Sequence, residues 1–113
     1  MIAARLLVDS EGRPLEFEAS GHAGRGPAGR DLLCAAFTVL ARTGYEALAA
    51  LPGAELEYEA PEPGILRYSL RRLEPSAGSR AAGIADFLAS GIAGLERDFP
   101  GELRFSIERS WRE

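Results

Sequence analysis

A chain of 113 residues, 46% hydrophobic and 27% charged, can bury one modest core, so a single domain spanning residues 1–113 is expected. A net charge of −4 and a pI near 5.1 argue against a general nucleic-acid binder, whose affinity comes from neutralising phosphates, and suit a basic partner better. All 13 basic residues are arginine, and the chain contains no Lys, Asn or Gln.

Residues 2–8 (IAARLLV) and 14–20 (PLEFEAS) have the composition of short strands, joined by a turn in which Asp9, Ser10 and Gly12 supply the bend. In the second, Leu15, Phe17 and Ala19 alternate with Glu16 and Glu18, the period of a half-buried strand. Residues 21–29 (GHAGRGPAG), with four glycines and one proline, form a loop expected to be mobile. From 30 to 51 the spacing becomes helical, with Leu33, Phe37, Leu40, Gly44, Leu48 and Leu51 on one stripe and Pro52-Gly53 as the stop. Alternating strands at 54–60 and 65–70 flank the turn Pro61-Glu62-Pro63-Gly64. A second helix over 76–97 places Ile84, Phe87, Leu88, Ile92 and Leu95 on its apolar stripe, and Leu103, Phe105 and Ile107 alternate as a final strand. The fold class is α/β: a single-domain sandwich of order β-β-α-β-β-α-β, one antiparallel or mixed sheet with two helices.

One cysteine excludes an internal disulfide. The early apolar run is interrupted by Arg5 and ended by Asp9, unlike a secretory signal, and no segment is expected to supply the roughly 20 apolar residues that span a bilayer. A cytoplasmic protein with no membrane and no nucleic-acid partner is expected.

The only His and the only Cys lie in one strand-loop-helix unit, with eleven residues between them. If Asp31 caps the helix, Cys34 falls at the third helical position, where unpaired N–H groups and the helix dipole favour a thiolate over the free thiol of pKa about 8.5. His22, returned by the loop, is then placed to take the thiol proton and to protonate a leaving amine. A lone Cys in an apolar helix is more often a small core residue, and a lone His in a glycine loop a surface one; their joint occurrence beside a helix start is what favours chemistry. With no Asn or Gln, neither an Asn that orients the His nor a side-chain amide in the oxyanion hole is available; backbone N–H groups, Arg or hydroxyls remain, and a Cys–His dyad with main-chain donors near the helix start is expected. Asp31 is a possible organiser or a simple cap. Thr38, one turn after Cys34, offers its hydroxyl to the site or back-bonds to the helix.

The segments Gly21-His22-Ala23 and Gly29-Arg30-Asp31-Leu32-Leu33-Cys34-Ala35-Ala36-Phe37-Thr38 resemble the ribosomal-processing cysteine proteases of bacteria, whose pattern is GHA, a short glycine-containing loop, then GxDIVCAAVS. The resemblance implies a cytoplasmic homodimeric endopeptidase that removes an N-terminal extension from the precursor of a large-subunit ribosomal protein, without cofactor or metal. It carries over His22 and Cys34 as the catalytic pair, and Gly21, Ala23, Gly24, Gly26 and Gly29 as the substrate loop. Leu32-Leu33 replaces Ile-Val, Phe37 replaces Val and Thr38 replaces Ser; the threonine keeps the hydroxyl and adds a methyl. The loop lacks the aromatic residue often found there.

Gly24-x-Gly26-x-x-Gly29 formally matches a dinucleotide fingerprint, but a hairpin precedes it and too little chain remains for a doubly wound sheet. The absence of Lys excludes a P-loop, and one Cys with one His leaves a zinc site short of ligands. The rival reading is a non-catalytic acidic module that grips a basic ribosomal or assembly partner, with Cys34 inert.

Overall fold

The computed structural model describes residues 1–21, 28–62 and 64–110, and for residues 28–31 the backbone only. The elements are β1 (Ile2–Val8), β2 (Pro14–Ser20), α1 (Ala28–Ala49), β3 (Glu55–Glu59), β4 (Ile65–Arg72), α2 (Gly78–Asp98) and β5 (Leu103–Arg109), with a 3-10 turn at Pro75–Ala77 leading into α2. The five strands make one mixed sheet in the order β3-β4-β2-β1-β5, in which only the β1–β5 pair is parallel. The expected order and layer arrangement are therefore those observed.

Alternation splits the sheet into two chemically different faces. Ile2, Ala4, Leu6 and Val8 of β1, Phe17 and Ala19 of β2 and Tyr68 of β4 turn inward and form one core with Leu33, Phe37, Ala41 and Leu48 of α1 and Ala81, Ala85, Leu88 and Ile92 of α2. The other face carries a lattice of ion pairs. Arg5 meets Glu16 at 2.8 Å and Glu18 at 3.2 Å, while Arg67 meets Glu18 at 2.9 Å and Glu59 at 2.8 Å. Each such pair adds little stability in water, but together they keep this face solvated and the helices on the other.

Three expectations need correction. The apolar stripe of α2 is Ala81, Ala85, Leu88 and Ile92, whereas Phe87 is 70% exposed. Small alanines let the helix sit close, so the larger ring is turned out. α1 begins at Ala28, earlier than the cap assigned to Asp31, immediately after a proline, a residue that costs nothing at a helix start because the N–H it lacks has no partner there. Finally, Leu32–Ala49 is long and apolar enough by length and composition to cross a membrane, with a mean hydropathy of 1.3 over 18 residues. It reaches that value because alanines and the exposed Leu32 and Val39 add to an inner stripe already packed on the sheet, as happens in the core helix of an α/β layer.

The two helices cross closely. A Cβ at Gly91 of α2 would meet the Leu40 side chain of α1 at 2.9 Å, which accounts for a glycine inside a helix whose propensity it weakens. At the far end of the sheet, Asp9 folds the β1–β2 turn around itself. Its Oδ1 accepts from the N–H groups of Glu11 at 2.8 Å and Arg13 at 3.0 Å, and its Oδ2 from Arg13 Nε at 2.7 Å. Arg109 of β5 donates to the Asp9 carbonyl at 3.1 Å, so the turn also ties down the end of the last strand.

Burial alone would raise the Asp9 carboxyl, but its bonds from the two N–H groups and the Arg13 guanidinium outweigh that and hold it below the usual range. The hydrogen bond from Arg67, assisted by Arg5, does the same for Glu18. A carboxyl depressed in the fold contributes stability that is present above its unfolded pKa of about 4 and is lost as pH falls through the folded value. Urea midpoints measured from pH 7 downwards should therefore stay level to about pH 4.5 and then decline. Asp9→Asn should be less stable at neutral pH and show a shallower acid decline.

Candidate active site

Cys34 is partly buried on α1 and opens on a cleft of about 620 Å³ between that helix and the ends of β2, β3 and β4. Such a volume suits a small ligand or a few side chains of a peptide. Thr38, one turn along, lies on the same wall, so the two residues expected to share a face do so. Ser20 and Gly21 at the end of β2 line it together with Ala60, Pro61 and Gly64 of the β3–β4 connection.

The interior of the cleft is aromatic. Phe37, Tyr45, Tyr58 and Tyr68 all reach it, and their rings form a run from core to solvent. Phe17 stands 6.2 Å from Phe37 and 5.3 Å from Tyr68; Tyr68 is 5.3 Å from Tyr45, and Tyr45 is 5.2 Å from Tyr58, the last two contacts edge-on. Tilted and edge-on contacts at these separations are the favoured geometries for aromatic pairs. The buried Tyr68 hydroxyl donates to the Ala41 carbonyl of α1 at 3.1 Å, and burial pushes that hydroxyl well above its usual pKa, so it stays a neutral donor. The floor of the cleft is thereby bolted to the helix that carries the thiol.

Among the residues assigned to the site from sequence, Cys34, Thr38 and Gly21 are brought to one cleft. His22, Ala23, Gly24 and Gly26 lie outside the described residues. Gly29 and Asp31 belong to α1, which makes Asp31 the fourth helical residue rather than its cap and Cys34 the seventh rather than the third. Cys34 thus sits beyond the four N–H groups that lack helical partners, and an argument for a thiolate from unpaired donors at the helix end loses force. Sequence reasoning missed Tyr45, Tyr58 and Tyr68. Tyr58 and Tyr68 occur at alternate positions of strands that pair with each other, in register, and this was the available signal. Among the described residues no group of three or more His, Cys, Asp or Glu is placed to hold a metal ion.

Among solved structures, the chain is similar to SMU.848 from Streptococcus mutans, with 24% identity over 97% of this chain and 96% of that one and a TM-score of 0.78. It is also similar to an essential ribosomal processing protease Prp from S. aureus, solved with a covalently linked product peptide (19% identity, 96% of this chain, 100% of that one, TM-score 0.76) and with a substrate peptide (18% identity, the same coverage, TM-score 0.75). At these identities the likeness establishes the fold. No curated protein sequence matches the chain. The family described as cysteine protease Prp matches residues 1–104, most of the sequence, which sets aside the reading of a non-catalytic module. The chain belongs to the cysteine protease Prp family.

Proposed function

We propose that this protein is an endopeptidase that removes the N-terminal extension from the precursor of a large-subunit ribosomal protein, using Cys34 as nucleophile and His22 as its general base. The observation that carries the reading is the placement of the chain's only thiol on the wall of an apolar cleft large enough for several peptide side chains. Membership of a cysteine protease family supplies the reaction class, and the peptide complexes of the S. aureus protein support a peptide substrate. The chain acts as one domain over residues 1–113, in the cytoplasm, as a homodimer, readings that rest on the motif resemblance and on the single unpaired cysteine.

In this mechanism His22 takes the Cys34 proton as sulfur attacks the scissile carbonyl carbon, giving a tetrahedral oxyanion. Collapse expels the amine of the mature protein, protonated by the imidazolium, and leaves the extension as a thioester on Cys34. Water, deprotonated by His22, then hydrolyses the thioester and restores the thiol. With no side-chain amide in the chain, the oxyanion donors are backbone N–H groups, Arg or hydroxyls, and we assign the role to main-chain N–H groups near the start of α1. Asp31 and Thr38 are assigned supporting roles in this reading; Thr38 lines the same cleft as Cys34.

Gly21 is the last described residue before the base, and its geometry is demanding. Its φ of 100° lies where side chains are rarely accommodated, its N–H donates to the Gly64 carbonyl at 2.8 Å, and a Cβ there would collide with the Met1 carbonyl oxygen. Gly21 is therefore tied to the β3–β4 connection that also lines the cleft. We assign Gly21 a positioning role for His22.

Incubation with the unprocessed ribosomal protein should give a single N-terminal cleavage, read by intact mass. Cys34→Ala and His22→Ala, each folded, should both lose more than about a thousandfold in rate. Equal cleavage by Cys34→Ala would overturn the assignment. Gly21→Ala should cost about 1–3 kcal/mol in stability through strain at positive φ, and at temperatures where it stays folded it should lower kcat more than it raises KM.

A further inference from the structure

β3 is one edge of the sheet, so among the described residues no strand lies beside one side of its backbone. Proteins usually blunt such edges with short strands and charges, and β3 has five residues of which three are glutamates. It differs from an ordinary blunted edge in what it borders: Tyr58, Ala60 and Pro61 lead directly into the wall of the cleft that holds Cys34.

The strand presents two rows of opposite character. On the helix side, Tyr58 packs edge-on against Tyr45 yet remains 54% exposed, an apolar surface at the mouth of the cleft. On the solvent side, Glu55, Glu57 and Glu59 pair inward with Arg72 at 3.7 Å, Arg71 at 2.6 Å and Arg67 at 2.8 Å, all from β4. The arginines approach from within the sheet, and the three carboxylates stay 58–65% exposed. A strand laid against β3 would meet carboxylates on one face and tyrosine rings on the other.

The length of the cleft fits such a strand. Cys34 and Tyr45 line it from positions eleven residues apart on α1, about 16 Å at 1.5 Å per residue, which equals about five residues of extended peptide at 3.3 Å each. We propose that the substrate binds in extended form along the free edge of β3, adding a strand to the sheet, with apolar side chains directed at Tyr45 and Tyr58 and the intervening basic side chains beside Glu57 and Glu59. This rests on the protease reading and deepens it. Strand addition supplies affinity through main-chain bonds, and the alternating pattern supplies specificity. A segment with alternating apolar and basic residues is selected; one with acidic residues at the solvent-facing positions is refused.

The test uses the full chain and a synthetic peptide covering the N-terminal extension and cleavage site of the ribosomal precursor, in a series with one backbone N-methyl group at each successive position. Binding to Cys34→Ala is followed by fluorescence anisotropy. In an added strand, successive amides point alternately toward and away from the neighbour, so N-methylation should weaken binding about tenfold at every second position and little at those between. Sensitivity that is uniform, absent or without alternation overturns strand addition. In a second arm, Glu57→Arg should weaken binding of a peptide with lysine at the facing position about threefold, and glutamate at that peptide position should restore it. The absence of rescue overturns the assignment of Glu57. Failure of the unmodified wild-type protein to cleave the precursor counts against the protease reading itself, whereas cleavage without an alternating N-methyl pattern counts against strand addition alone.

Discussion

The seating of α1 on the sheet is the constraint from which the site follows. Beside the apolar packing of Leu33, Phe37, Ala41 and Leu48, Tyr68 makes a polar tie between the two layers: its ring lies between Phe17 and Tyr45, edge-on to the latter, and its hydroxyl donates to the Ala41 carbonyl in the middle of the helix. Loss of that tie would weaken the seating of the helix. The consequence would reach beyond stability, because the same rings that hold the helix form the inner surface of the cleft, and the same helix carries Cys34. Core packing and cleft lining draw on one run of rings here.

The division of the sheet into an apolar and an ionic face explains why the cleft lies where it does. The Arg5, Glu16, Glu18, Arg67 and Glu59 pairs satisfy the outer face, so both helices pack on the inner one. The inner face is left open where the ends of β2, β3 and β4 run past α1, and Tyr58 and Tyr45 line the opening. At the start of α1, the helix begins at Ala28 and places the thiol nearly two turns inside. In the proposed mechanism, activation of the sulfur then falls to His22 rather than to the helix terminus. Gly21, tied through its N–H to Gly64 and denied a side chain by Met1, is the described residue to which we assign the positioning of His22.

Much of this was legible in the sequence, for identifiable reasons. β1 and β2 were read to the residue, because strict alternation and the turn residues Asp9, Gly12 and Pro14 fix both ends of a hairpin. The buried stripe of α1 followed from Leu33, Phe37 and Leu48 at helical spacing. On α2, Leu88 and Ile92 are buried as their spacing indicated and Ile84 and Leu95 pack partly buried against the core, whereas Phe87 is exposed and the small Ala81 and Ala85 complete the buried stripe. The aromatic cleft was not legible: Tyr45, Tyr58 and Tyr68 are brought together by strand pairing and helix packing, long-range contacts that no local pattern encodes. Cys34 and His22 came to notice as the only residues of their kinds, but their pairing as a dyad drew its force from the motif and not from helix-end electrostatics.

The single thiol gives the central claim a direct test. Cys34 is the only cysteine in the chain, so an alkylating reagent such as iodoacetamide can label the sulfur of one residue. Partial labelling followed by intact-mass analysis gives the fraction modified, and cleavage of the ribosomal precursor gives the fraction active. If Cys34 is the nucleophile, activity falls in direct proportion to labelling and reaches zero when labelling is complete. A fully alkylated protein that still removes the extension would contradict it.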